Sequence, residues 1–400
     1  MKMRVRLHDY ARKRMRLAAT GLPPGIVLTG PESPWFRPID TMEHAAAQAD
    51  TTFLSLGHYD YLSLSRHPEV RAAAKSAIDT VGIGAGASRL IGGEREIHAQ
   101  FESALSDFLG TEATMTMGAG YLVSLSLIPH LVGADDLVVM DELAHSSVVH
   151  GAKATRATVR TFRHNDLDHL AQILAEQRER HGLCLIAVEG LYSMDGDIVD
   201  LPRLLDIRDA HDAWVMVDEA HSIGVLGPTG RGACEHFGVD PARVDILVGT
   251  LSKTFTSMGG FVSGRAELVN WLKFTLPGFV FSVGLSPAIA ATADAALRVL
   301  RREPERVARL QALSRHFLSE AAAAGLATGS AIGAGIVPIL FDTPTRTAAV
   351  SRALAAAGIY APPIMHSGIG TGSSRIRFFL SADLDRCEID RTLGIIRNVT

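Results

Sequence analysis

From residue 111 to residue 252 the chain alternates short apolar runs with helix-length segments. TEATMTMG precedes a helix starting near Tyr121, and DLVVMD precedes a short helix after Ser146. ATVRTF leads into DLDHLAQILAEQRERHG, CLIAVEG into LPRLLDIRDAHD, and AWVMVDEA and then VDILVGTL close the series. Strands that are apolar on successive residues are covered on both faces, because a strand with one wet face would alternate with polar residues. Helices between such strands make the parallel crossovers, so the pattern predicts an α/β fold with a mostly parallel central sheet. Glu189, Asp218, His221, Thr250 and Lys253 stand just past the carboxyl ends of these runs, the edge at which open α/β sheets bind ligands.

The flanks are of a different kind. Residues 1–50 read as an arm: a basic helical stretch, about Tyr10–Ala19, and a Pro/Gly-rich segment, GLPPGIVLTGPESPWF, with no apolar face of its own. Residues 51–287 form the large domain, opening with helices over Glu69–Val81 and about Glu94–Leu109 on either side of GIGAGASRLIGG. Residues 288–400 form a small α+β domain, with a long helical region broken near Pro304, then GIVPILFD, a helix after Thr345, and SSRIRFFLS. Phe274–Ala293 carries no charge but is interrupted by prolines and glycines, and reads as a buried loop leading into a helix, not a membrane span. A net charge of −4 gives no field for nucleic acid. Cys184, Cys234 and Cys387 are too far apart for a CxxC metal site and odd in number for a disulfide framework. With no signal-peptide pattern in the Arg-rich start, they fit a cytoplasmic protein.

Six lysines stand among 39 basic residues, so a chemistry that needs an amine has few candidates. Lys253 follows a buried strand, between Thr250, Ser252 and Thr254 and the Gly259–Gly260 pair, where a desolvated amine is suited to Schiff-base formation. Asp218 ends the preceding strand, where a carboxylate can pair with a pyridine nitrogen and keep the ring an electron sink. His221 follows three residues later. His145 is placed to stack a flat ring on such a cofactor, whereas His150 reads as structural. GAGYLVSL opens a helix with small residues and free amides, a phosphate seat at Gly120 and Tyr121. The glycine-rich GIGAGASRLIGG fits neither dinucleotide nor P-loop spacing, and no HExxH or clustered ligand set supports a metal. Arg375 and Arg377 lie two apart on one strand and share a face, so one of them can grip a carboxylate; periodicity does not choose between them.

Taken together, HYDYLSLSRHPEV, GIGAGASRLIGGEREIHAQFE, GAGYL, DELAHSS, FRHNDLDHL, EGLYSMDGDIVDLPRL, VMVDEAHSIGVLGPTGRG and GTLSKTF resemble the α-oxoamine synthases, in order and over roughly residues 55–390. The resemblance implies a fold-type I pyridoxal-phosphate transferase and a homodimer with active sites at the subunit interface. Its substrates are then a small L-amino acid (glycine, alanine or serine) and an acyl thioester carried on coenzyme A or an acyl carrier protein. The implied reaction is a decarboxylative condensation giving an α-amino ketone, CO2 and free thiol. It assigns Lys253 as the Schiff-base lysine and proton carrier, Asp218 as partner of the ring nitrogen, His145 as the stacked ring and His221 as a contact near the 3-hydroxyl. Ser193 lies beside the cofactor, Gly120, Tyr121, Thr250 and Ser252 near its phosphate, and Ser282 near the phosphate of the neighbouring subunit. Arg375 is assigned the amino acid carboxylate, and Tyr59 and Ser63 are placed at the substrate.

The chain departs from the family's pattern, among other positions at Ser124, where an asparagine is frequent. Ser63 stands where a glycine is usual, which requires a turn tolerable to a Cβ. Val283 and Gly284 remove hydroxyls expected at the interface, and the stretch before Arg375, with His366, is longer than usual. Aminotransfer, aldol cleavage and a silent partner subunit are the competing functions; the presence of Lys253, Asp218 and His145 speaks against the last.

Overall fold

The computed structural model describes residues 52–364 and 374–399 together with two N-terminal strand segments, and places the sheet as the apolar runs predict. The strands are β1 (Leu28–Thr29), β2 (Trp35–Pro38), β3 (Phe53–Ser55), β4 (Ala113–Met117), β5 (Leu137–Asp141), β6 (Thr158–Phe162) and β7 (Cys184–Glu189). They continue with β8 (Trp214–Asp218), β9 (Ile246–Thr250), β10 (Gly260–Gly264), β11 (Ile336–Phe341), β12 (Ile359–Tyr360), β13 (Pro363–Ile364) and β14 (Ser374–Phe379). The central sheet has seven strands in the order β4-β10-β9-β8-β7-β5-β6. Only β10 runs antiparallel to its neighbours, β4 and β9. β10 was not foreseen: GFVSG has glycines at both ends and too short an apolar stretch to stand out beside VDILVGT.

Successive residues of the central strands go to opposite cores. Leu137, Val139, Ile186, Val188, Val215 and Val217 pack on one face, and Val138, Met140, Leu185, Ala187 and Met216 on the other. Helix ends are set by local chemistry. The Asp166 carboxylate accepts from the His169 N–H to start the helix Leu167–Gln177, and the Asp200 carboxylate accepts from the Arg203 N–H to start Leu201–Ala210. The helix Glu96–Leu109, expected from about Glu94, stops at Gly110, whose φ of 75° is the left-handed cap.

The expected break near Pro304 separates the helices Pro287–Arg302 and Glu305–Ala323. The first of these packs on the helices Pro68–Val81 and Glu96–Leu109. At the other end, β3 pairs in parallel with β12, and residues 53–55 join the C-terminal part. β14 lies between β11 and β13, with Ile376 and Phe378 in the core and Arg375 and Arg377 on the other face. The Phe274–Ala293 stretch is not the buried loop its composition suggested. It includes a short helix, Pro277–Val280, with Phe279 buried, and leaves Phe274, Phe281 and Val283 exposed at 71%, 84% and 60%. The expected helix at Tyr10–Ala19 and His366 lie outside the described residues.

Candidate active site

Five strand ends, those of β4, β5, β7, β8 and β9, meet at one pocket. β8 and β7 are in register with Glu189 opposite Asp218, and β9 ends two residues beyond Asp218's partner, Val248. A pocket of about 640 Å³ at this edge is bounded by Gly120, Tyr121, His145, Glu189, Asp218, His221, Thr250, Ser252 and Lys253, with Ser124, Ser147 and Ala220 among its other walls. The lysine, aspartate, both histidines and the phosphate-seat residues chosen from the sequence therefore share one cavity.

The turn that carries Lys253 is tied down on both sides. The Thr256 N–H bonds the Lys253 carbonyl at 2.8 Å. The Thr254 hydroxyl donates to the Ile223 carbonyl at 2.6 Å, joining this turn to the one that carries Asp218 and His221. Burial pushes the Lys253 ammonium down to about 8, against the pull of Asp218 and Glu189. Burial raises the Asp218 carboxyl, although Lys253 and the Ala220 N–H, which bonds Oδ1 at 2.9 Å, favour its charge. Glu189, fully enclosed beside Asp218, is pushed up to about 8, mainly by desolvation and then by Asp218. Its Oε1 is buried and has no hydrogen-bond partner.

The two histidines are held neutral. His145 caps the helix Ser146–Ala154, and its Nδ1 accepts from the Ser147 N–H at 3.3 Å while lying 2.8 Å from the Ser147 hydroxyl. That arrangement leaves the ring proton on Nε2; burial first, then Lys253 and Arg377, work against a second one and outweigh the pull of Asp218. His221 is lowered well below the usual imidazole range, first by burial and then by Lys253 and Arg377. Its Nδ1 lies 2.7 Å from the hydroxyl of Tyr61, a residue not singled out from the sequence. The Tyr59 ring stands edge-on to Phe379 at 4.6 Å and to His221 at 6.0 Å, with Lys253 Nζ 5.9 Å from its centre. Tyr121, half exposed, bonds His150 through its hydroxyl.

A glycine is required at the seat itself. A Cβ on Gly120 would stand 2.7 Å from Thr250 Oγ1, and the helix Gly120–Leu131 begins there with its first amides turned to the pocket edge. Thr250 and Ser252 hydroxyls lie 2.8 Å apart beside it.

Four residues chosen from the sequence fall elsewhere. Arg375 is buried and committed: its guanidinium bonds the Met194 carbonyl at 2.9 Å and the Asp195 carboxylate at 2.6 Å. Arg377 is the arginine that acts on the pocket, lowering Lys253, His145 and His221 electrostatically. It donates to the Ser193 carbonyl at 2.8 Å, and its Nε is buried without a partner. Two positions on one strand face are alike in sequence; what separates them is the loop at Asp195, which no periodicity reveals. Ser193 supports Arg377 through its carbonyl and does not line the pocket. Ser63 occupies a left-handed turn at φ 55°, buried with its hydroxyl unpartnered, and lies outside the pocket. Ser282 is on a separate lip of the same chain with Arg89, Gly118 and Val283.

The donor set fits pyridoxal phosphate. A desolvated amine, a buried carboxylate short of a cation, a neutral imidazole wall and a helix N-terminus with hydroxyls answer its aldehyde, ring nitrogen, ring face and phosphate. Residues 51–396 match the family described as aminotransferase class I and II, so this is a pyridoxal-phosphate enzyme of fold-type I. An 8-amino-7-oxononanoate synthase from Methylobacterium sp. (strain 4-46) is 39% identical over 88% of this chain and 89% of its own. A serine palmitoyltransferase from S. paucimobilis, solved with a bound PLP–myriocin aldimine, superposes with a TM-score of 0.92 at 28% identity, over 99% of this chain and 97% of that one. The Sphingomonas wittichii serine palmitoyltransferase gives 0.91 at 29% identity, over 98% and 96%. The chain belongs to the α-oxoamine synthase family. It is an acyltransferase that uses pyridoxal phosphate to condense an amino acid with an acyl thioester, with loss of CO2. Among the described residues no helix is long and apolar enough to cross a membrane.

Proposed function

We propose that the amino acid is small, glycine, alanine or serine, that Arg377 and not Arg375 receives its carboxylate, and that the working enzyme is a cytoplasmic homodimer taking its acyl group from coenzyme A or an acyl carrier protein. The observation that carries the reading is one pocket walled by Lys253, Asp218 and His145, with an incompletely bonded Arg377 that acts electrostatically on both Lys253 and His145.

Pyridoxal phosphate supplies an electron sink next to the amino acid's α-carbon. The residues do the rest. Lys253, with its ammonium lowered to about 8, has a substantial neutral fraction near neutral pH and is suited to take the α-proton and to return it after decarboxylation. Arg377 orients the carboxylate through a two-bonded fork, which fixes the substrate's departing group relative to the lysine. Asp218 would pair with the ring nitrogen, and burial would make that pairing worth more than in water. His145 closes one face and keeps a proton on Nε2, from which it can polarise the thioester carbonyl; His221, braced by Tyr61, holds the opposite edge. Gly120 and Tyr121 amides with the Thr250 and Ser252 hydroxyls would hold the phosphate. Ser282 would reach the phosphate of a second copy, across a surface where Ile83, Ile91, Phe281 and Val283 are all more than half exposed. A cluster of that kind favours a protein partner.

The test is a matrix of glycine, alanine and serine against acyl-CoA and acyl-carrier thioesters, with mass detection of amino ketone and free thiol. Product that requires both substrates supports the reading; keto acid formed from amino acid alone contradicts it. Arg377→Lys is expected to raise the amino acid KM at least tenfold, as loss of a fork does, and an unchanged KM would reject the assignment.

A further inference from the structure

The sequence FRHND plays no part in the chemistry above, yet its histidine is among the most tightly bonded groups in the protein. His164 Nδ1 lies 2.9 Å from Asp141 Oδ1, and its Nε2 lies 2.9 Å from Asp197 Oδ2. Both ring nitrogens face carboxylates, which accept and do not donate, so both carry protons. The next residue repeats the bridge: the Asn165 N–H bonds Asp141 Oδ2 at 2.9 Å, and its side-chain amide bonds Asp197 Oδ2 at 3.0 Å. Asn165 adopts φ 54° to do so. The Tyr192 ring stands edge-on to His164 at 4.6 Å, and the Ser330 hydroxyl donates to Asp197 at 3.0 Å.

The two carboxylates belong to the two loops that build the site. Asp141 ends β5, and its Oδ1 and carbonyl accept from the Leu143 and Ala144 amides, the residues that lead to His145. Asp197 closes the loop 192–197, in which the Tyr192 N–H bonds the Asp197 carbonyl at 2.8 Å. That loop presents Ser193 O to Arg377 and Met194 O and Asp195 to Arg375.

We propose that His164, as an imidazolium bridging Asp141 and Asp197, is a positioning residue that locks the His145 loop to the loop seating Arg377, and that capture of the amino acid depends on it. The inference rests on Arg377 holding the carboxylate. Remove the bridge and the 192–197 loop loses its charged tie to β5, so Arg377 loses the fixed carbonyl that aims it, while Lys253 and Asp218 keep their own turns. The groups facing the imidazole are Asp141, Asp197 and the Tyr192 phenol; together the two carboxylates lift it to about 10, against desolvation.

The test uses the holoenzyme. Histidine-selective 15N NMR is expected to show one imidazole fully protonated at about pH 8, a signal missing in His164→Gln and titrating normally in Asp197→Asn. Steady-state kinetics of both variants are expected to show the amino acid KM raised about tenfold to a hundredfold, with the thioester KM and the cofactor absorbance kept. No charged histidine at that pH, or an unchanged amino acid KM, overturns the proposal. Should His164→Gln fail to fold, Asp197→Asn and the wild-type spectrum decide. An unchanged KM in Arg377→Lys overturns the clamp while leaving the spectroscopic result to stand or fall on its own.

Discussion

Single residues in this protein are defined by what already bonds them. Arg375 and Arg377 are two apart on one strand and alike in spacing, but one is spent on Asp195 and the other keeps an unpartnered Nε and lowers Lys253, His145 and His221 electrostatically. Arg375→Ala is therefore expected to act on folding: it leaves Asp195 without its buried ion-pair partner and costs about 3 kcal/mol or more, read as a lower urea midpoint. Ser63 gives the opposite sign. Its left-handed backbone costs about 1 kcal/mol, and its buried hydroxyl finds no partner. Ser63→Gly should stabilise the fold by about 1 kcal/mol in urea titration and leave the amino acid KM unchanged; a raised KM would restore Ser63 to the substrate site. Lys253, Asp218, His145, Gly120 and Thr250 were legible because each follows an apolar run that fixes its place at the sheet edge. Glu189 was equally placed, but no residue pattern announces that its carboxyl is enclosed beside another.

At the level of elements, the parallel strands and their helices were readable because burial on both faces leaves continuous apolar runs. β10 was not, since its register with β4 and β9 depends on glycines that let strands and the helix at Gly120 approach closely: a Cβ on Gly260 would stand 2.5 Å from the Gly120 Cα. The loops after β5 and β7 are joined by His164, and this has a pH signature. Its ionisation is raised from 6.5 to about 10 in the native state. Between these values the folded protein binds a proton that the unfolded chain has released, so stability falls as pH rises. The contribution is complete below about 6.5 and gone above about 10. The urea midpoints of wild type and His164→Gln should differ most near pH 6 and converge above pH 10; a gap that stays constant across that range would show that the bridge is not charged.

Across the whole molecule, one surface is unfinished. The glycine-rich loop around residues 83–92 and the segment 279–286 are tied together by Ser286–Ile83 and Gly284–Ala87 hydrogen bonds. Beneath them Arg89 bonds Glu94 and Glu102, which Lys273 also reaches. This polar support holds Ile83, Ile91, Phe281 and Val283 outward. Composition alone reads residues 274–293 as buried, whereas Phe274, Phe281 and Val283 are exposed in the single chain. Phe281→Glu is expected to shift the protein from dimer to monomer in analytical ultracentrifugation and to remove activity with it; an active monomer would contradict the interface reading.

The chemistry of the site depends above all on which amine the cofactor meets. Borohydride reduction of the protein loaded with pyridoxal phosphate, followed by peptide mass mapping, reads that amine directly among the six lysines. The predicted result is one reduced pyridoxyl phosphate per chain on the peptide containing Lys253, and none in Lys253→Ala. Modification at Lys273 or any other lysine, or no modification at all, would contradict it.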